Sequence, residues 1–175
     1  MLRATILRSA LAVAFICIGG TSAFADAFTG ALIANVKAEG ESQLMTGVRG
    51  TCDEKSHIAV GPVGADLAQH RRPFRCDAAV IVFFDNQNHH VMINFAEKSA
   101  TNQIIAFSGI MDAAGEAMTV QRTYFEPGKP TYLDDAACKF FFSKRHMTGI
   151  FCGGKIDADG QRTVASIVFN ASPGQ

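Results

Sequence analysis

From Cys76 to Asn170, short apolar runs alternate with turn residues at a spacing of roughly 8–12 residues. That rhythm leaves few options besides a β-sandwich or a β-barrel. Ala79 to Phe84 (AVIVFF), His90 to Phe95 (HVMINF), Gln103 to Met111 (QIIAFSGIM) and Met118 to Phe125 (MTVQRTYF) are rich in β-branched and aromatic side chains. Lys139 to Phe142, Met147 to Ile156 and Thr163 to Asn170 continue the series. Between these runs lie Asp85-Asn86-Gln87-Asn88, Asp112 to Glu116 and Asp157-Ala158-Asp159-Gly160, whose Asp, Asn and Gly residues favour tight turns. Glu126-Pro127-Gly128-Lys129-Pro130 breaks the pattern. Links this short join antiparallel neighbours, so the strands are expected to form a meander. The fold class is all-β with room for one short helix, closed as a small barrel or packed as a sandwich.

Several of these strands are apolar on both faces. Val80, Val82 and Phe84 point one way while Ile81 and Phe83 point the other, and Phe140 and Phe142 oppose Phe141 in the same manner. A sheet with one wet face alternates more cleanly. The second face therefore needs a cover. Four covers fit: the chain's own first fifty residues, a second sheet, a subunit interface that makes a homodimer, or an apolar ligand cavity.

Residues 26 to about 76 are less regular, with glycine at 30, 40, 47, 50, 61 and 64. Phe28 to Val36 reads as a strand or a short helix, Leu44 to Val48 as a short strand, and Gly64 to His70 as a single helical turn. The domain reading is a leader over residues 1–25 and one exported β-rich domain over 26–175, with the antiparallel strands in 77–170.

The leader rests on three features. Arg3 and Arg8 form a basic start, Ser9 to Gly19 is an apolar stretch too short to span a bilayer, and Ala23-Phe24-Ala25 ends it with small residues at the cleavage-site positions. Export to a periplasmic or extracellular space sets the expected chemistry of the cysteines. Of five, Cys17 leaves with the leader; Cys52, Cys76, Cys138 and Cys152 stay. In an oxidising compartment four cysteines make two disulfides, with three possible pairings. Nearest-neighbour pairing, Cys52–Cys76 and Cys138–Cys152, is expected, each worth roughly 3 kcal/mol by loop closure. A zinc site lacks any C-x-x-C pair, so no metal and no cofactor is expected.

Charge excludes one class of partner. Two of the 16 basic residues, Arg3 and Arg8, leave with the leader, so 14 face 16 acids. A nucleic-acid binder shows a basic excess instead. No later segment reaches transmembrane length, so no membrane anchor is expected. The aromatic set is 14 Phe, two Tyr and no Trp, which suits a core better than a carbohydrate platform.

Candidate binding residues are few. His70, Arg71, Arg72 and Arg75 precede Cys76, and Lys144-Arg145-His146 lies between the last two cysteines; joined, they would receive an anion. Arg122 shares a strand face with Met118, Val120 and Tyr124, where it would either meet a ligand carboxylate or guard an edge strand. His89 and His90 point to opposite faces of a strand and read as a solvated hairpin end. Asp157 to Gly160 looks like a calcium loop but lacks the closing acid, and Asp-Gly between strands signals a hairpin. There is no G-x-S-x-G elbow and no glycine-rich phosphate loop. The expected role is a non-enzymatic binding or envelope-associated module for a protein or a small apolar or anionic ligand. The alternatives are a carrier with an apolar cavity and a small hydrolase with a His/carboxylate site.

Overall fold

The computed structural model describes residues 22–84, 89–97, 104–133 and 135–173, and from Phe28 onward for side chains. Residues 1–21 of the expected leader, the turn Asp85 to Asn88, the linker at 98–103 and Asp134 lie outside the described residues, whereas its last four, 22–25, fall within the first helix. The chain begins with helix α1 (Ser22–Glu39) and continues through β1 (Ser42–Cys52), β2 (His57–Pro62), a single 3-10 turn (Leu67–His70) and β3 (Arg71–Pro73). Then come β4 (Cys76–Phe84), β5 (His90–Glu97), β6 (Ile104–Met111), β7 (Ala117–Glu126) and β8 (Lys129–Tyr132). β9 (Asp135–Ser143), β10 (His146–Ala158) and β11 (Gln161–Ala171) complete it.

Eight of these strands close an antiparallel barrel in the order β1-β4-β5-β6-β7-β9-β10-β11, with β11 returning to β1. The expected meander is therefore the run from β4 to β11, and a barrel rather than a sandwich is formed. β1 pairs with β4 along Ser42 to Arg49 and passes to β11 only at Gly50–Cys52. Gly50 is required at that crossing, because a Cβ there would stand 2.2 Å from the Asn170 carbonyl oxygen. β2 takes over alongside the first half of β11 and carries β3 outward. Glu126-Pro127-Gly128-Lys129 is a two-residue hairpin that launches β8, with Gly128 at φ 72°. Asp159 and Gly160, both at positive φ, make the expected β10–β11 hairpin.

An eight-stranded barrel is just wide enough for side chains to fill it. Ile81, Ile93, Phe95, Phe107, Met118, Phe140, Ile150, Ile167 and Phe169 do so, with the Phe95 ring 6.3 Å from Phe107 and 6.0 Å from Phe169. Both disulfides pair as expected. Cys138–Cys152 bridges directly opposed residues of β9 and β10 inside this core, and Cys52–Cys76 ties the end of β1 to the start of β4.

Along β4 to β7 the second apolar face is covered by the chain's own beginning, whereas Phe141 and Phe142 on β9 stay exposed. Ala31, Leu32, Asn35, Val36 and Glu39 recur at helical spacing on one side of α1. Leu32 and Val36 pack on Val82, Phe84, Met92, Ala106 and Tyr124 of the outer wall. Helix, not strand, is what Phe28 to Val36 becomes, and Gly40 at φ 134° ends it by donating to the Val36 carbonyl. The helical turn expected near Gly64 to His70 is the short 3-10 turn. Among the described residues no helix is long and apolar enough to cross a membrane.

Candidate functional site

Two places on the outer wall gather chemistry. The first lies under the end of α1. Glu39, with its side chain fully buried, receives His90 Nε2 at 2.9 Å and Arg122 Nη1 at 2.9 Å on one oxygen and the Tyr124 hydroxyl on the other. Ser108 Oγ stands 2.7 Å from the same His90 nitrogen, and Phe84 stacks on the imidazole at 4.7 Å. Burial pushes the Glu39 carboxyl up, but the bonds from His90 and Tyr124 and the Arg122 charge outweigh it and hold it at about 2. Burial and the bond to Glu39 push the Tyr124 phenol above the ordinary tyrosine range. A carboxylate at a helix C-terminus meets the negative end of the helix dipole, and these donors compensate for that.

Strand geometry explains why Arg122 is there. β7 slips by one residue between Val120, opposite Gly109, and Arg122, opposite Ser108. Gln121 is the extra residue, so Met118 and Val120 face inward while Arg122 and Tyr124 face outward. The expectation that all four share one face is corrected by this bulge. Gly109 admits it: a Cβ at that position would stand 2.0 Å from the Thr119 carbonyl oxygen. Nor does Arg122 guard an edge, since β7 has neighbours on both sides. His90 is likewise half-buried and clamped rather than solvated, whereas His89 is exposed.

The Ser108, His90 and Glu39 side chains resemble a hydrolytic triad only in composition. A general base needs the nucleophile on one ring nitrogen and the orienting carboxylate on the other. Here serine and glutamate meet the same Nε2. This is a clamp that fixes α1 to the barrel. Asn35 adds to it, donating to Asn94 Oδ1 at 3.1 Å and accepting from the Gly128 amide at 2.8 Å. Among the described residues no three His, Cys, Asp or Glu side chains gather at metal-ligand spacing.

The second place lies away from α1, where β2, β3 and the 3-10 turn stand beside β11. Two adjoining hollows of about 340 and 400 Å³ share His57 and Arg71. Val164, Ala59, Leu67, Val168 and Pro73 supply apolar walls, and Lys55 and Arg162 add cations. Most of the polar groups are committed. Arg162 holds Asp157 through two bonds of 2.7 and 2.6 Å, and Asp66 accepts from the Ala68 amide. His57 Nδ1 donates to the Lys55 carbonyl at 2.7 Å, since a carbonyl can only accept, which leaves Nε2 as the ring's remaining polar atom. Arg71 makes no side-chain hydrogen bond or ion pair among the described residues.

The basic segment thus splits. Arg71 reaches the hollows, while Arg72, one residue on, bonds Glu97 at 2.8 Å. His70 closes the 3-10 turn and Arg75 is exposed. Lys144-Arg145-His146 does not join them: it lies at the β9–β10 hairpin, whereas β2 and β3 flank the opposite end of the barrel. Glu39 and His57 were missed by sequence reasoning; the helical period ending in Glu39 is the one signal that points to it. Comparison with known protein families, with curated proteins and with solved structures returns no match.

Proposed function

We propose that this chain is an exported, non-enzymatic binding module that holds a small organic anion, a carboxylate or phosphate on an apolar stem, against the outer wall of its barrel. The observation that carries this reading is the uncommitted Arg71 beside His57, between two hollows that combine the apolar Ala59, Leu67, Val164, Val168 and Pro73 with polar residues, Glu54, Lys55, Asp66 and Arg162 among them. Their volumes fall in the range of small-ligand sites, on the order of 300–1,000 Å³. The filled interior argues against a carrier with a central cavity, and the shared His90 nitrogen argues against a triad hydrolase. Export is supported by the leader-like start and by two disulfides, which belong to oxidising compartments.

Native mass spectrometry of protein purified from its own host compartment tests this, together with NMR titration by hexanoate and by inorganic phosphate. A retained organic anion, or saturable shifts at His57 and Arg71, both abolished in Arg71→Ala, is the expected result. A bare polypeptide mass with no shift from either probe overturns the proposal.

A second reading, a protein-docking wall, is favoured by Phe141 and Phe151, 44% and 40% exposed on β9 and β10. Phe151 stands opposite Val168, so this wall runs into the hollows. A photo-crosslinker at Phe151 that captures one partner, and loses it in Phe141→Ser, supports that reading.

A further inference from the structure

β2 and β3 lay His57 and Arg71 on one face. Arg71 stands opposite Ala59 and Pro73 opposite His57, so His57 and Arg71 are diagonal neighbours across the pair. Diagonal partners lie about 7–8 Å apart, within reach of long side chains. On the other side of β2, Ser166 of β11 stands opposite His57 and Val164 opposite Ala59. These five residues share one face, and that face is the common floor of the two hollows.

The floor is chemically asymmetric. Arg71 carries donors alone, in a fork that matches the two oxygens of a carboxylate. His57 is its opposite. Its Nδ1 proton is held by the Lys55 carbonyl at 2.7 Å, so the neutral ring keeps a bare lone pair at Nε2. A plain carboxylate on Arg71 sets its own lone pairs beside that one. An anion with a hydroxyl next to the carboxylate gives the carboxylate to Arg71 and donates the hydroxyl to Nε2.

Given an organic anion on Arg71, the role proposed for these hollows, we infer that the ligand is a 2-hydroxy carboxylate on an apolar stem and that His57 reads its hydroxyl. The charges around the floor favour a hydroxyl over an ammonium as the donor. Arg162 is answered by Asp157 and Asp66 is tied to the Ala68 amide, which leaves Arg71 and Lys55 against Glu54.

The preference depends on the charge of the ring. Protonation turns Nε2 from acceptor to donor, which removes the advantage of the hydroxyl and gives a bare carboxylate a second partner. The charged groups around His57 are Lys55 and Glu54 before β2, Asp66 before the 3-10 turn, Arg71 on β3 and the Arg162–Asp157 pair. Lys155, opposite Val164, is paired with Asp135 at 3.5 Å, and the His70 ring borders Gly61. Of these side-chain types only histidine ordinarily changes charge near neutral pH.

Calorimetric titration with 2-hydroxyhexanoate, hexanoate and 2-aminohexanoate, with the His57 ring followed by NMR, tests this. On the neutral ring 2-hydroxyhexanoate should bind about five- to tenfold tighter than hexanoate, the worth of one hydrogen bond. On the protonated ring that ratio should fall to about one as hexanoate tightens. His57→Phe should bind both equally at every pH, which separates His57 from His70; the pH dependence of the parent stands without the variant. Equal affinities on the neutral ring, or tighter binding of 2-aminohexanoate, overturn the inference and leave the anion site in place. Binding of none of the three overturns the anion site and the inference together.

Discussion

On the wall formed by β4 to β7 the outward residues include Val82, Phe84, Met92, Ala106 and Tyr124, and α1 lies over them. On the wall formed by β9 to β11 they are Phe141, Lys139, Phe151 and Val168, and the two phenylalanines stay open. The two walls share one barrel and a similar apolar content. What differs is the fate of their charges. Beneath α1, Arg122 and His90 converge on a carboxylate supplied by the same chain, so the charge is answered from within, while Arg122 Nε and Asn94 Nδ2 keep no hydrogen-bond partner among the described residues. Beside β11, Arg71 has no such partner among the described residues. Where the chain completes its own ion pairs it ties its elements together, and the cation it leaves unanswered is the one the proposed anion would meet.

The sharpest way to break this contrast is to remove the two acting groups one at a time. Glu39→Ala strands Arg122 and His90 and should cost about 3 kcal/mol in urea unfolding, the order found for breaking a buried pair. Arg71→Ala should stay within about 0.5 kcal/mol of the parent, as surface changes do. Equal losses would mean that the second wall is structural too.

Acid unfolding gives a slightly smaller effect. Glu39 sits at about 2 in the folded state against an ordinary 4.5. Its contribution is fully present above pH 4.5 and is lost as pH falls toward 2, because the unfolded chain takes up the proton first. The parent should lose about 2–3 kcal/mol across that window. Glu39→Gln should lack this component, and identical acid limbs in denaturant melts would refute it. Tyr124→Phe removes one hydrogen bond to the carboxylate and should cost about 1 kcal/mol. Ultraviolet titration should show the Tyr124 phenol ionising above the ordinary tyrosine range, and its ionisation within that range would contradict the clamp. Phe141→Ser should change the unfolding free energy least of all, by about 0.5 kcal/mol or less, while abolishing the crosslink formed from position 151.

The β-rich half of the fold was legible because each strand carries its own local signal, and so do its turns: Asp159-Gly160 can hardly be anything but a hairpin. The disulfides were legible because the cysteines fall into two sequence neighbours on either side of the domain. Helix α1 was ambiguous from Phe28 to Val36, a nine-residue apolar run that fits both periods; only the continuation through Asn35 and Glu39 decides it. The clamp was illegible for a different reason. His90, Arg122 and Tyr124 are recruited by a glutamate far away in the chain, and the bulge at Gln121 reverses the face that simple alternation assigns to Arg122 and Tyr124.

The closing seam of the barrel joins Gly50–Cys52 to Phe169–Ala171, the first strand to the last. Closure of the barrel therefore depends on a contact between residues far apart in the chain, the kind that costs the most loop entropy to make. The eleven residues of β11 carry it. Loss of those last residues would leave a curled, unclosed sheet with two sticky margins instead of a shortened barrel.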